Sequence, residues 1–149
     1  MTTHSFHLTA TWPGGRNSVG DIHCGALATQ ISIAPGMDGP GVGTNPDEML
    51  LGAAATCYLI TLAAMLERAG IETSALSLDS ELTVGVHRSA YVCENIIHRP
   101  QVTLASDVAA DTLMKVLHLT DIAERRCMIS NAMRGNVAIR VEADVRRAT

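Results

Sequence analysis

Residues 49–66 read MLLGAAATCYLITLAAML, eighteen consecutive residues without a charged side chain. A helix that is apolar on every side must be covered on every side. Acidic residues precede the run, and Glu67 and Arg68 follow it. We therefore interpret it as a buried helix of a soluble protein, although its length approaches that of a membrane span. Cys57 lies near its middle, and we expect its sulfur to have little contact with water.

The residues around this run predict where the helix begins and ends. Asn45 is expected to cap the helix, Pro46 suits its first position, and Glu48 would complete a capping box with Asn45. Gly70 is placed to terminate it as a C-terminal cap. The helix would contain about 24 residues and extend roughly 36 Å, enough to cross a domain.

The composition is that of a single domain, residues 1–149, with an aliphatic core. Hydrophobic residues make up 47% of the chain, aromatic residues 3% and charged residues 17%. The net charge of −4 and the scattered arginines give no reason to expect a nucleic-acid partner. The first residues lack the basic and apolar parts of a secretory signal, so we expect a cytoplasmic protein with reduced thiols.

The cysteines and histidines do not have the spacing of metal ligands, so we expect no metal and no other bound cofactor. Cys24 and Cys93 fall in predicted strands and are assigned to packing. His23, His98 and His118 are predicted to be surface or partly buried residues. That leaves Cys57 and Cys127 as the thiols with a possible chemical role.

Shorter patterns on both sides of the long helix predict the other elements. Alternating apolar residues predict strands, and Ser106-Asp107 is placed to cap a second helix. Pro100 lies inside a predicted strand and indicates an edge position or a bulge. The elements in order are strands at 4–12, 18–24 and 27–33, the long helix, strands at 76–86 and 91–104, a helix at 106–125 and a strand at 137–145.

This order, βββ-α-ββ-α-β, favours an α+β fold with antiparallel sheets. A chain of this size has too little structure to cover an apolar helix on all sides. We therefore expect an intimate homodimer whose sheets wrap around the central helices.

Cys57 has two interpretations, a small core residue or a reactive thiol. A buried thiol is inert unless something cationic stabilises its thiolate, and the helix dipole fades after the first turn. Arg16, on a glycine-rich turn, is a candidate for that cation, and Asp47 or Glu48 could orient its guanidinium. Cys127 could likewise be a second reactive thiol or a core residue.

Three segments together resemble the OsmC/Ohr superfamily, the osmotically inducible and organic hydroperoxide resistance proteins. Gly14-Gly15-Arg16 is similar to the family's Gly-Gly-Arg turn. Residues 43–50, running on to Ala54-Ala55-Thr56-Cys57, resemble its helix start and peroxidatic cysteine. Cys127-Met128-Ile129-Ser130-Asn131-Ala132, followed by Arg134-Gly135-Asn136-Val137, is similar to its second-cysteine segment.

The resemblance implies a thiol-dependent peroxidase that reduces organic hydroperoxides and works as an intertwined homodimer. Cys57 would attack the peroxide and become a sulfenic acid, and Cys127 would resolve it as a Cys57–Cys127 disulfide. An external dithiol, lipoyl-type or other, would reduce that disulfide. Arg16 would stabilise the thiolate and the leaving alkoxide. Asp47 stands where the family commonly has the glutamate that orients this arginine.

The position of Asp47 bears on how such a site is assembled. Asp47 and Cys57 are roughly 15 Å apart on one straight helix, so we expect a site composed across the dimer interface.

The residues also leave two other functions open. One is a non-catalytic, stress-related dimer whose apolar cleft binds a lipid-like ligand. The other is a hydrolase with Cys57 as nucleophile, which would need a general base nearby.

Overall fold

The computed structural model describes all 149 residues. The backbone forms two compact units, Met1–Leu50 and Leu51–Thr149. The first unit holds a small sheet and the start of the long helix. The second holds the rest of that helix, a larger sheet and two more helices. The mixture confirms the predicted α+β class, whereas the single-domain organisation stays a prediction.

The sheet of the first unit has three antiparallel strands in the order β1 (Thr9–Thr11), β2 (Gly20–Cys24) and β3 (Leu27–Ile31). β1 is much shorter than the predicted strand at 4–12. Phe6 and Leu8 are 89% and 55% exposed, so the alternating pattern there does not correspond to a half-buried face.

The long helix, α1 (Pro46–Arg68), begins where the sequence predicts. The Asn45 side chain accepts a hydrogen bond of 2.9 Å from the Glu48 backbone N–H. The Glu48 carboxylate accepts a hydrogen bond of 2.8 Å from the Thr44 hydroxyl. Thr44 therefore provides the hydrogen bond that the predicted capping box assigned to the Asn45 backbone.

The end of α1 is also as predicted. Gly70 has a φ of +66°, which a residue with a side chain rarely adopts. The Ile71 N–H donates to the Leu66 carbonyl at 3.0 Å, and the Gly70 N–H donates to the Glu67 carbonyl at 2.9 Å. This is the Schellman pattern, which satisfies the last carbonyls of a helix.

The sheet of the second unit is mixed, which corrects the prediction of antiparallel sheets. Its strands are β4 (Ala75–His87), β5 (Ala90–Leu104), β6 (Ala138–Val141) and β7 (Asp144–Arg147). β4 and β5 form a long antiparallel hairpin, but β6 and β7 both pair with β5 in parallel. The predicted final strand is thus two short ones, separated from β5 by the crossover helices α2 (Ala110–Arg126) and α3 (Met128–Met133).

Pro100 explains the break between β6 and β7. It lies in the central strand β5, and the register with β4 shifts only between Thr83 and Val84, so the predicted edge position or bulge at Pro100 is wrong. The carbonyls of His98 and Leu104 accept hydrogen bonds from Glu142 and Ala148, which places even-numbered backbone groups of β5 on the β6 and β7 side. Pro100, without an N–H, therefore faces the gap where β6 has ended and β7 has not begun.

The start of one helix differs from the prediction, and a further short helix is present. α2 begins at Ala110 after an Ala109 cap that makes no side-chain hydrogen bond, so the predicted Ser106-Asp107 cap is wrong. The segment after Cys127, where the sequence predicts neither helix nor strand, forms the six-residue helix α3. The N-terminus of α3 therefore lies next to Cys127.

One side of α1 supplies the core of the second unit. Tyr58, Leu62 and Leu66 are buried and belong to one cluster with residues of β5 and α2. By length and composition α1 could cross a membrane. Its buried side matches the predicted core helix, but its other side is not covered within the chain. The exposed residues on that side are Gly52, Ala53, Thr56, Ile60 and Ala63.

Candidate functional site

The structure brings together the two cysteines that the sequence singled out. Cys57 lies near the middle of α1 and is partly exposed, in contrast to the predicted water-excluded position. Cys127 is fully buried at the junction of α2 and α3. The two thiols hydrogen-bond to each other across the 70 positions that separate them. Both are free thiols in the structure.

Helix α3 contributes backbone donors to both sulfurs. The N–H groups of Met128 and Ile129 donate to the Cys57 sulfur. The Ser130 N–H donates to Cys127 Sγ at 3.5 Å, which makes Cys127 the N-cap of the helix. The first N–H groups of a helix have no partner within it, so the start of α3 is free to hold sulfur.

These contacts shift the pKa values of the two thiols in opposite directions. Burial raises the pKa of the Cys57 thiol, but the hydrogen bonds from Cys127, Ile129 and Met128 outweigh it and the pKa falls below its ordinary value. Burial and the hydrogen bond to Cys57 raise the pKa of Cys127. Of the two thiols, Cys57 therefore loses its proton more readily than Cys127.

The segment that carries Cys127 is held at both ends. Glu124, in the last turn of α2, is almost fully buried and accepts a hydrogen bond of 2.9 Å from the Arg134 guanidinium. Arg134 follows α3 and also donates to the Asn131 side chain at 3.2 Å. The Glu124–Arg134 ion pair thus closes the loop of chain that presents the α3 donors to Cys57.

A buried histidine packs next to the helical turn that carries Cys57. His98 was predicted at the surface or partly buried, yet it is fully buried in β5. Its Nδ1 lies 2.7 Å from Ser80 Oγ, and its Nε2 has no hydrogen-bond partner. Its ring stacks on Tyr58, the residue after Cys57. Burial lowers the pKa of His98 to about 4, so the ring is neutral near pH 7.

Arg16 and Asp47 are not brought together. The Arg16 guanidinium donates to the carbonyls of Met37 at 2.7 Å and Asp38 at 3.2 Å, and to the Asn17 side chain at 2.9 Å. No hydrogen bond joins it to the Asp47 carboxylate at the start of α1. The expected roles of Arg16 and Asp47 therefore stay predictions.

The α3 backbone donors and the Glu124–Arg134 pair were not found from the sequence. The one feature of the sequence that could have indicated helix α3 is that Cys127 comes directly before a short apolar segment, a position suited to an N-cap.

No group of three or more His, Cys, Asp or Glu residues is placed to hold a metal ion.

The chain matches the model of a known protein family. The family model described as OsmC-like protein matches residues 38–142 of this chain. The matched segment includes α1, both thiols of the site and the Glu124–Arg134 pair.

A curated relative is similar over nearly the full length. The uncharacterized protein YmaD of Bacillus subtilis is 53% identical over 146 residues, which cover 98% of this chain and 97% of the relative.

Two solved structures show the same fold at low identity. The organic hydroperoxide resistance protein OsmC of Legionella pneumophila has a TM-score of 0.78 and 20% identity, covering 97% of this chain and 99% of its own. The organic hydroperoxide resistance protein OhrB of Bacillus subtilis has a TM-score of 0.70 and 22% identity, covering 95% and 98%.

Proposed function

Because this chain belongs to the OsmC-like protein family, we propose that it is a thiol-dependent peroxidase that reduces organic hydroperoxides to alcohols. One observation carries the proposal. The Cys57 sulfur is hydrogen-bonded by a second thiol and by two backbone N–H groups, which lower its pKa. A stabilised, partly exposed thiolate beside a protonated thiol is the arrangement that a two-cysteine peroxidase requires.

The first step consumes the hydroperoxide. The Cys57 thiolate attacks the terminal peroxide oxygen, the O–O bond breaks, and the alkoxide leaves and takes up a proton to give the alcohol. Cys57 becomes a sulfenic acid. The Met128 and Ile129 N–H groups, which hold the thiolate, keep the sulfur in place during the attack.

The second step forms the disulfide. The sulfur of Cys127 attacks the sulfenic sulfur, and hydroxide leaves and combines with the thiol proton as water. The raised pKa of Cys127 keeps that proton available until the sulfenic acid has formed. An external dithiol then reduces the Cys57–Cys127 disulfide and becomes a disulfide itself. Thiols of this kind need a reducing compartment, which agrees with a cytoplasmic location.

Apolar side chains next to the thiol support an organic substrate over hydrogen peroxide. Ile60 lies one turn after Cys57 and is 69% exposed, and Met128, whose N–H donates to the sulfur, is 71% exposed. Both would contact the organic part of a hydroperoxide.

A homodimer and the roles of Arg16 and Asp47 complete the proposal. The exposed apolar side of α1 suits burial against a second copy of the chain. In such a dimer Arg16 would stabilise the thiolate and the leaving alkoxide, and Asp47 would orient its guanidinium.

The proposal is tested by peroxide consumption in excess dithiothreitol. We expect the wild type to consume cumene hydroperoxide faster than hydrogen peroxide, and Cys57→Ser to fall to the rate without protein. Oxidised with one equivalent of cumene hydroperoxide in the absence of dithiothreitol, Cys127→Ser should accumulate Cys57 sulfenic acid, detected as a dimedone adduct by mass spectrometry. Cys93→Ser, which changes a thiol outside the site, is the matched control and should keep wild-type activity. Equal inactivity of wild type and Cys57→Ser would refute the proposal.

A further inference from the structure

The hydroxyl of Ser130 is a buried polar group that has no hydrogen-bond partner in the protein. Ser130 lies in α3, three residues after Cys127, and is fully buried. Nε2 of His98 is the other buried side-chain atom without a partner. Of these two residues, only Ser130 donates its backbone N–H to a sulfur of the site, Cys127 Sγ at 3.5 Å. An unpartnered buried hydroxyl is unfavourable for the folded protein, so its presence beside a reacting sulfur requires a reason.

Ser130 does not make the hydrogen bond that is usual for a hydroxyl in a helix. Thr56, Thr61 and Thr120 each donate to a backbone carbonyl three or four positions earlier, at 2.7 Å. Bonds of this kind satisfy a hydroxyl within its own helix. The Ser130 hydroxyl forms no such bond.

Helix capping does not use the Ser130 hydroxyl either. Cys127 is the N-cap of α3, and Ser130 is the third helical residue, whose side chain can accept a hydrogen bond from the N-cap N–H. That N–H already donates to the Glu124 carbonyl at 3.2 Å. Burial and the hydrogen bond to Cys57 raise the pKa of Cys127, and the Ser130 hydroxyl opposes this rise because it is placed to donate to a thiolate at Cys127.

We propose that the Ser130 hydroxyl is a catalytic donor that hydrogen-bonds to Cys127 when this sulfur becomes a thiolate, during the formation and the reduction of the Cys57–Cys127 disulfide. The inference rests on the proposed function, in which Cys127 attacks the sulfenic acid and is later displaced by the dithiol. A protonated thiol is a weak acceptor, whereas a thiolate is a strong one. A donor fixed in place before the charge develops therefore stabilises the transition state more than the resting protein.

The hydroxyl would act in both steps that involve Cys127. In disulfide formation, the Cys127 proton leaves with the hydroxide of the sulfenic acid as water, and Ser130 stabilises the charge on the attacking sulfur. In reduction, one thiolate of the dithiol attacks Cys57 Sγ, the bond between Cys57 and Cys127 breaks, and Cys127 leaves as a thiolate held by Ser130 until it takes up a proton. The second thiolate of the same dithiol displaces Cys57 as a thiolate, and the reductant leaves as a cyclic disulfide. Two electrons have then passed to the protein.

The test is the reduction of the disulfide by dithiothreitol, which does not depend on peroxidase activity. Protein oxidised with diamide is reduced near pH 7, and the reaction is followed by acid quench, alkylation and mass spectrometry. A hydrogen bond to a charged group changes an equilibrium constant roughly tenfold to a hundredfold. About half of the charge on a sulfur is developed in the transition state of thiol–disulfide exchange. We therefore expect Ser130→Ala to slow the reduction about three- to tenfold.

Three further measurements separate catalysis from support of the fold. The reduction potential of the disulfide, determined in dithiothreitol redox buffers, should be unchanged in Ser130→Ala, because neither the disulfide nor the protonated thiol gives the hydroxyl a charged partner. The rate of Cys57 alkylation by iodoacetamide should also be unchanged, because the N–H donors of Met128 and Ile129 remain. The melting temperature should equal or exceed that of the wild type, because the hydroxyl has no partner to lose. Ser77→Ala, which removes an exposed hydroxyl of β4, is the matched control and should keep the wild-type reduction rate.

The possible outcomes are distinct. A wild-type reduction rate in Ser130→Ala would overturn the proposal. So would slower reduction accompanied by a lower melting temperature, a shifted potential or a changed rate of Cys57 alkylation, because the hydroxyl would then act on the resting protein. A wild type without peroxide turnover, in which Ser130→Ala still slows reduction of the disulfide, would refute only the proposed function.

Discussion

The phenol ring of Tyr58 stacks on the imidazole of His98, with ring centroids 4.7 Å apart and ring planes inclined by 11°. The Tyr58 hydroxyl donates to the Thr120 carbonyl of α2 at 3.1 Å. Tyr58 follows Cys57 directly, so the helical turn that carries the Cys57 sulfur is fixed by a central strand and by a second helix. This arrangement depends on a neutral, fully buried histidine.

Acid should weaken the fold through His98. An unfolded chain protonates histidine near pH 6.5, whereas burial lowers the pKa of His98 to about 4 in the folded chain. Between these values the unfolded state binds more protons, so the free energy of unfolding falls as the pH falls. The loss begins near pH 6.5 and reaches about 3 kcal/mol by pH 4. Urea unfolding measured across this range by circular dichroism checks it.

The matched variants for this measurement are His98→Phe and His118→Gln. Phenylalanine keeps a ring for Tyr58 to stack on and cannot be protonated, so the pH dependence should become shallower. His118 is exposed, and its replacement should leave the profile parallel to that of the wild type. If the free energy of unfolding depended on pH in the same way in His98→Phe and in the wild type, His98 would not be the cause of the loss of stability in acid.

Cys127 should control the acidity of Cys57. Cys127→Ala removes the hydrogen bond from Cys127, so the pKa of Cys57 should rise, whereas Cys127→Ser keeps a donor at the same place and should raise it less. The rate of Cys57 alkylation by iodoacetamide, followed against pH by mass spectrometry, gives the pKa directly. The same pKa in Cys127→Ala and the wild type would show that the thiol–thiol contact has no effect.

The sequence contained enough information to place α1 and to single out Cys57 and Cys127, which the structure brings together. Asn45, Pro46 and Gly70 specify the ends of the helix through local hydrogen bonds and backbone conformation, which neighbouring residues determine. The parallel pairing of β6 and of β7 with β5 was missed, because the alternation of apolar residues shows only which face of a strand is buried. The full burial of His98 was missed for a related reason, since the pattern does not reveal that β5 is the central strand.

The donors to Cys57 were beyond the reach of sequence patterns for a different reason. Met128 and Ile129 act through backbone N–H groups, which every residue except proline has. The orientation of these N–H groups toward Cys57 depends on the turn between α2 and α3. That turn is held by Glu124 and Arg134, ten positions apart, and nothing in their spacing distinguishes them from the other charged residues of the chain.

Removing the Glu124 charge should disturb both stability and the site. Glu124→Gln leaves Arg134 without its buried carboxylate partner, which should cost about 1–3 kcal/mol of unfolding free energy. Because the pair holds the segment that carries the α3 donors, the pKa of Cys57 should also rise. Asp144→Asn removes half of the exposed Asp144–Arg146 pair and should cost less than about 1 kcal/mol with no change at Cys57. A destabilised Glu124→Gln with an unchanged Cys57 pKa would limit the pair to a structural role.

The exposed side of α1 should be a contact between two copies of the chain. Gly52, Thr56, Ile60 and Ala63 share this side, and Ile60 is 69% exposed. Ile60→Glu would place a charge in the centre of the interface, where burial of an unpaired carboxylate is strongly unfavourable. We expect a dimer for the wild type and a monomer for Ile60→Glu by size-exclusion chromatography with light scattering. Met114→Glu, on α2 and 65% exposed, is the matched control and should remain dimeric. A monomeric wild type would contradict the dimer, and full peroxidase activity of the Ile60→Glu monomer would contradict a site composed across its interface.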